Sequence, residues 1–278
     1  MLNLILAICS SALIAVIMRL SSHRAKAGKT MLAANYLICL LLAAVYSGFQ
    51  RLFPNTDTLP TALGLGSLNG ALYLGGFVLM QQNVKKNGVV LSSIFTKLGL
   101  LVPILLSVFL FGEVPTWLQV PGFVVAIAAI VLINLQKGSK STTSVGSLLL
   151  LLLVTGSADA MSKIFEEVGD PALSDPFLFY TFAVAFLLCV VLVIVSKEKP
   201  DLTSVLFGIV IGIPNFFSAK FLLRSLADLP AVVVYPSFSI ATMLLTTLIG
   251  VFFFKERLVK RQWLALAGII AALFLLNI

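Results

Sequence analysis

The sequence has little charge and almost no histidine, and both scarcities exclude classes of protein. Only 11% of the 278 residues are charged, whereas 60% are hydrophobic. A soluble protein of this length needs far more charge, so the composition predicts an integral membrane protein. The single histidine, His23, leaves almost nothing for a histidine metal centre or a Ser-His catalytic pair. We therefore expect no enzyme activity, no bound metal and no cofactor.

Cysteine and nucleotide-binding motifs are equally sparse. The three cysteines lie in apolar runs without CxxC spacing and are expected to be small buried side chains: Cys9, Cys39 and Cys189. The stretch "AGKT" at 27–30 lacks the glycine at position 23 that a P-loop requires, so ATP is not expected to drive the protein. The net charge of +8 is carried by short loops, which favours membrane orientation over nucleic-acid binding.

Long apolar runs are what the chain has instead. A membrane-spanning helix needs about 20 mostly apolar residues. Ten such runs are predicted: 2–20, 30–49, 60–82, 88–111, 116–135, 145–166, 176–196, 202–225, 230–254 and 260–278. The first has no basic segment before it and is expected to be a retained helix rather than a signal peptide.

Basic residues mark one side of the predicted membrane protein. Thirteen of the 19 lysines and arginines fall in odd-numbered loops: Arg24, Lys26, Lys29, Lys85, Lys86, Lys137, Lys140, Lys197, Lys199, Lys255, Arg257, Lys260 and Arg261. Only Arg51 and Arg224 fall at the opposite surface. The positive-inside rule then predicts a multi-pass protein of the cell membrane with cytoplasmic odd loops and both termini outside.

The two halves of the chain repeat. Residues 88–113 align without gaps with 231–256, and nine of the 26 positions are identical, including the closing Phe-x-Phe-x-Glu. We assign 1–137 and 138–278 as five-helix repeats. Because five is odd, the second repeat must be inverted in the membrane, an architecture common among secondary transporters with a site near the midplane.

These features together resemble the EamA branch of the drug/metabolite transporter superfamily over the whole chain. The resemblance implies an all-α membrane protein of ten transmembrane helices, arranged as two inverted five-helix repeats around a central cavity. It implies further that helices one, three, four, six, eight and nine enclose this cavity. The basic residues that usually follow the family's second helix are reduced to Arg51 in "GFQRLFPNTDTLP". This departure suggests an orientation opposite to the common one.

Two opposite charges occur in the apolar stretch "LLLLLLVTGSADAMSKIF" (148–165). Asp159 lies near mid-bilayer, where a carboxylate costs at least about 2.5 kcal/mol and usually faces a cavity or a partner. It is a candidate site for a coupling proton or a substrate amine, or else a partner of Lys163. Lys163 can instead snorkel or form a salt bridge with Glu166 or Glu167, one turn further on.

Two further lysines lie within predicted helices. Lys97 is nine residues into the fourth run, too deep to snorkel easily. It either pairs with Asp159 or meets a substrate carboxylate or phosphate. Lys220 is close to Arg224 and either belongs to the site or reaches the interface.

Neutral polar residues concentrate in the same helices. They are candidate substrate ligands, or else ordinary contacts between helices: Asn69, Tyr73, Thr96, Asn215, Tyr235 and Ser239. Pro103, Pro214 and Pro236 lie at mid-helix, where each removes a backbone hydrogen bond and can expose carbonyl groups to a cavity.

The resulting hypothesis is a secondary transporter that moves a small polar or zwitterionic metabolite, such as an amino acid, by alternating access. The substrate carboxylate would meet Lys97 and the ammonium Asp159, with a proton as a candidate coupling ion. The alternatives are an efflux transporter for lipophilic cations and a non-transporting membrane scaffold. The expected partners are thus a small-molecule substrate and the lipid bilayer.

Overall fold

The computed structural model describes residues 1–22, 24–49, 52–134, 144–255 and 260–277, and this part of the chain contains helices and no strand. The all-helical prediction is confirmed. The helices are α1 (Leu2–Ser21), α2 (Gly28–Ser47), α3 (Leu59–Gly88), α4 (Leu91–Phe111), α5 (Gln119–Asn134), α6 (Val145–Val168), α7 (Ser174–Val195), α8 (Leu202–Asp228), α9 (Ala231–Phe252) and α10 (Lys260–Leu276).

The junction between α3 and α4 has no loop. Gly88 adopts φ 80° and ψ 163°, a conformation that only glycine adopts readily, and the chain is helical on both sides of it. The predicted boundary between the third and fourth runs is therefore a kink at one glycine.

Helix length separates two helices from the rest. Eight of the helices in the described ranges are long and apolar enough to cross a membrane, whereas α5 and α10 are shorter, with 16 and 17 residues. Ten membrane spans thus stay a prediction, as does the orientation. Five residues used in the predictions lie outside the described residues: His23, Arg51, Lys137, Lys140 and Arg257. The predicted repeat boundary at 137–138 also lies outside them.

The chain divides into two compact units, each drawn from both halves of the sequence. The first comprises Met1–Leu74 and Ile164–Ala227, and the second Gly75–Lys163 and Asp228–Ile278. The repeats 1–137 and 138–278 stay a prediction, and each compact unit draws on both of them.

Glycine contacts bring the helices of the first unit close together. A Cβ on Gly208 of α8 would lie 2.3 Å from the Met31 carbonyl oxygen of α2. A Cβ on Gly70 of α3 would lie 2.3 Å from the Thr181 carbonyl oxygen of α7. Helix α2 also packs along α7.

The prediction of buried cysteines holds for Cys39 and Cys189 but is wrong for Cys9, which lies on an exposed position of α1.

Acidic residues before α8 cap the N-terminus of α2 in the first unit. Glu198 Oε1 accepts hydrogen bonds from the Thr30 amide (2.8 Å) and hydroxyl (3.1 Å). Asp201 Oδ2 accepts the Ala27 amide at 3.2 Å, and its carboxylate also accepts from the Ser204 amide and hydroxyl. The Ser204 bonds lower the Asp201 pKa because they favour the charged form.

The second unit is built around α9 and the pair α5 and α10. Helix α5 packs along α10, and α9 contacts α4, α5 and α10. Two asparagines of α3 bind the beginning of α6: Asn87 Oδ1 accepts the Ser144 amide at 2.7 Å, and Asn83 Oδ1 accepts the Ser147 hydroxyl at 2.9 Å. These bonds fix where α6 begins relative to α3.

Candidate binding site

Helix α4 is interrupted after Leu98, one residue beyond Lys97. Residues Gly99 and Leu100 form a turn between two helical stretches. Pro103 has no N–H, so the Gly99 carbonyl accepts instead from the Val102 amide at 2.9 Å, and the helix tightens there. Interrupted helices at membrane depth occur where protein or a cavity can satisfy the backbone. The break thus marks a specialised position in α4.

The backbones of α4 and α6 touch at two glycines. A Cβ on Gly156 would lie 2.3 Å from the Gly99 carbonyl oxygen, a distance that real side chains do not adopt. Lys97 precedes Gly99 by two residues, and Asp159 follows Gly156 by three. The glycine contact therefore brings the two predicted charges into one region, where they interact electrostatically.

Both charged groups remain accessible. Lys97 and Asp159 are exposed, although each lies within a membrane-length helix. Within the part of the chain that the structure describes, neither side chain forms an ion pair or a hydrogen bond. The arrangement thus presents an ammonium and a carboxylate that interact electrostatically without direct contact.

Helix α9 supports the position of Asp159. The Tyr235 hydroxyl donates to the Asp159 backbone carbonyl at 2.7 Å, and Tyr235 is buried. Ser239, one turn further along α9, is also buried. Thr96 donates to the Ser92 carbonyl at 2.9 Å and lies 3.5 Å from the Met80 sulfur. Its hydroxyl therefore serves the helix backbone.

The other neutral candidates lie in the first unit. Asn69 is fully buried, and neither amide atom has a hydrogen-bond partner among the described residues. Tyr73 stacks on Tyr36 with ring centroids 6.3 Å apart. The Asn215 amide donates to Asn35 Oδ1 at 3.2 Å. Asn69, Tyr73 and Asn215 thus belong to the first unit, where Tyr73 and Asn215 contact residues of α2.

Two intramembrane lysines have close carboxylate partners. Lys220 Nζ lies 2.6 Å from Asp175 Oδ1 and 3.9 Å from the centroid of the Tyr46 ring. Lys163 Nζ lies 2.8 Å from Glu113 Oε1. Both lysines are buried, so these pairs neutralise charges inside the protein. The Lys163–Glu167 salt bridge stays a prediction, with Glu167 on an exposed position.

Sequence reasoning selected the charges but missed the residues that position them. Gly99, Gly156 and the acidic partner Asp175 carry no local sequence signal, because each acts across helices. Glu113 was visible as the end of the repeated Phe-x-Phe-x-Glu, yet its partner is 50 positions away.

Known proteins similar to this chain place it in a family. The EamA-like transporter family matches residues 1–135 and 143–278, one repeat in each half. An uncharacterized protein of Haemophilus influenzae is 27% identical over 286 residues, covering 99% of this chain and 97% of that protein. One crystal structure superposes with a TM-score of 0.79 over 99% of this chain and 96% of that chain, at 16% identity, and so shares the fold. The chain is an integral multi-pass membrane protein that belongs to the EamA-like transporter family of the drug/metabolite transporter superfamily.

Proposed function

We propose that this protein is a secondary transporter for a small zwitterionic metabolite such as an amino acid, and that it works by alternating access. Lys97 receives the solute carboxylate and Asp159 the solute ammonium. The observation that carries the proposal is a pair of exposed, opposite charges beside the break in α4, whose side chains form no ion pair or hydrogen bond among the described residues. Membership of a transporter family supports the activity class.

A zwitterion suits such a pair because it supplies both counter-charges at once. Charge-assisted hydrogen bonds are roughly twice as strong as neutral ones, and an unpaired charge inside a protein is costly. A lone cation would be attracted to Asp159 but repelled by Lys97. Lys163 and Lys220 already have carboxylates at 2.8 and 2.6 Å, so Lys97 is the lysine that selects the solute.

The test is a thermal-stability screen of the purified protein with amino acids and small organic anions in one pool and lipophilic cations in another. A ligand at 100 times its Kd stabilises by roughly 2.7 kcal/mol. We expect a hit in the first pool that disappears in Lys97→Met and in Asp159→Asn. The same solute should then exchange across proteoliposomes that contain the parent protein.

The matched control is Lys220→Met, which removes a lysine that already has a partner. The ligand-induced stabilisation should persist in this variant, whatever its melting temperature without ligand. Loss of the effect in Lys220→Met but not in Lys97→Met would move the site to the first unit. A hit only among lipophilic cations, lost in Asp159→Asn, would identify an efflux transporter instead.

Proton coupling is tested separately at Asp159. If this carboxylate carries the coupling proton, an imposed pH gradient should drive uptake of the identified solute in proteoliposomes. Asp159→Glu should retain both that response and the exchange of solute for solute at equal pH, whereas Asp159→Asn should lose both, because the same carboxylate binds the solute ammonium. Uptake insensitive to the gradient in the parent protein would assign Asp159 to solute binding alone.

A further inference from the structure

Two bridges join α6 to α9 in the second unit, one helical turn apart. At the first, which we call the terminal bridge, Glu113 Oε1 contacts Lys163 of α6 at 2.8 Å, and Glu113 Oε2 accepts the Val232 amide of α9 at 3.2 Å. At the second, the Tyr235 hydroxyl donates to the Asp159 carbonyl at 2.7 Å. The Glu113 carboxylate thus connects the end of α4 to both α6 and α9.

The terminal bridge is well protected. The side chains of Lys163 and Glu113 are 3% and 15% exposed, and the Phe111 ring lies 5.8 Å from the lysine nitrogen. Glu113 also places its negative charge at the N-terminus of α9, where the helix dipole favours it. Because water is largely excluded, both contacts are stronger than they would be at a surface.

The spacing along the helices orders the two bridges. Lys163 follows Asp159 by four residues on α6, and Tyr235 follows Val232 by three on α9. The terminal bridge therefore lies between Asp159 and the end of the unit where α4 ends and α9 begins. Three helices are thus tied together one turn from Asp159, on the side of the terminal bridge.

We propose that the terminal bridge positions α9 on α6 and that its opening admits solute to Asp159 from this end. Lys163 exchanges Glu113 for Asp159 when the bridge opens, since an acidic residue four positions before a lysine is the favourable order on a helix. A solute ammonium on Asp159 removes that second acceptor and keeps the bridge closed. This inference rests on the proposed role of Asp159, and its test does not require the solute.

The experiment measures access to α9 with a thiol reagent. Cys9, Cys39 and Cys189 are replaced by alanine, and Ser239→Cys places one thiol a turn beyond Tyr235. A membrane-impermeant methanethiosulfonate is applied separately to intact cells and to inside-out vesicles. Lys163→Met and Glu113→Gln should each raise the labelling rate from one side by about fivefold or more, the lower range of typical coupling between sites.

Three variants separate a moving bridge from a static one. Asp159→Asn should slow labelling, because it removes the carboxylate to which Lys163 exchanges in this proposal. The double variant Glu113→Lys with Lys163→Glu restores an ion pair but leaves the Val232 amide without its carboxylate acceptor, so it should recover the melting temperature only in part. It should retain fast labelling, because a glutamate at position 163 faces Asp159. Lys163→Arg should label like the parent.

The matched control is Lys220→Met, which breaks a buried lysine–carboxylate pair in the first unit and should leave the labelling rate unchanged. Unchanged labelling in Lys163→Met and Glu113→Gln would overturn the proposal, as would equal acceleration by Lys220→Met. If instead no solute stabilises the protein but these labelling changes occur, the proposed solute is wrong and the bridge stands.

Discussion

The two units treat a lysine inside a membrane-length helix in opposite ways. In the first, Lys220 is 3% exposed, pairs with Asp175 at 2.6 Å and lies against the Tyr46 ring. In the second, Lys97 is exposed and senses Asp159 without touching it. Lys220 thus forms a structural ion pair, whereas Lys97 retains its capacity to bind a solute. Depth in the membrane therefore identifies costly charges, and the state of their partners indicates which ones are available to a solute.

The largest effect on stability should come from breaking the ion pair between Lys220 and Asp175. Asp175→Asn leaves the Lys220 ammonium buried without a counter-charge, and we expect a loss of about 3 kcal/mol in the free energy of unfolding. Lys97→Met removes a charge that has no close carboxylate among the described residues, and it should change stability by less than about 1 kcal/mol. Thermal melting of both purified variants in the same detergent tests this. Equal losses would mean that Lys97 also has a structural partner.

Substitution at the glycine contact that brings Lys97 and Asp159 together should reduce stability nearly as much. Gly156→Ala places a methyl group 2.3 Å from the Gly99 carbonyl, and overpacking of this kind costs typically 1–3 kcal/mol. Gly268→Ala in the same unit meets nothing closer than 3.6 Å and should melt like the parent. We also expect Gly156→Ala to weaken ligand stabilisation. Normal ligand binding in a destabilised Gly156→Ala protein would mean that the contact between Gly99 and Gly156 stabilises the protein but does not shape the binding site.

A smaller difference should separate two asparagines of the first unit. Asn69 has no hydrogen-bond partner among the described residues, whereas Asn215 donates to Asn35. Replacing an unsatisfied buried amide by leucine removes its desolvation penalty, so Asn69→Leu should stabilise by about 1 kcal/mol. Asn215→Leu should destabilise by about the same amount. Melting temperatures that shift in the same direction would contradict this contrast.

The smallest effect concerns the cap on α2. Because the folded-state pKa of Asp201 is lowered, its carboxylate stabilises the protein above its unfolded-state pKa, and this contribution is lost as pH falls through the folded value. Ser204→Ala removes the main cause of the shift. The difference in melting temperature between Ser204→Ala and the parent should therefore shrink between neutral and acidic pH. A difference that is independent of pH would assign the Ser204 effect to packing.

The length of the apolar runs made the helices predictable, since each crossing needs about 20 apolar residues. The run at 202–225 corresponds to Leu202–Asp228, and the run at 230–254 to Ala231–Phe252. The same reasoning on depth selected Lys97 and Asp159 as site candidates. Their spatial relation could not be predicted, because it depends on the contact of Gly99 with Gly156 between two helices.

Partners of charges were the hardest to predict. The sequence predicts Asp159, Glu166 or Glu167 as the partner of Lys163, because these are its acidic neighbours on one helix, yet the structure also provides Glu113 from another helix. Lys220 was considered beside Arg224, whereas Asp175 comes from the start of α7. A pairing between helices requires the packing to be known first.

The cap on α2 has a consequence for biosynthesis. The Ala27 amide is 174 positions from Asp201, and the Thr30 amide is 168 positions from Glu198. At a translation rate of about 5–20 residues per second, α2 waits roughly 10–35 s after synthesis for the carboxylates that complete its N-terminus. An N-terminal five-helix fragment made alone would never receive them. The order of membrane insertion and the order of folding are thus different, because α2 is made long before the carboxylates that cap it.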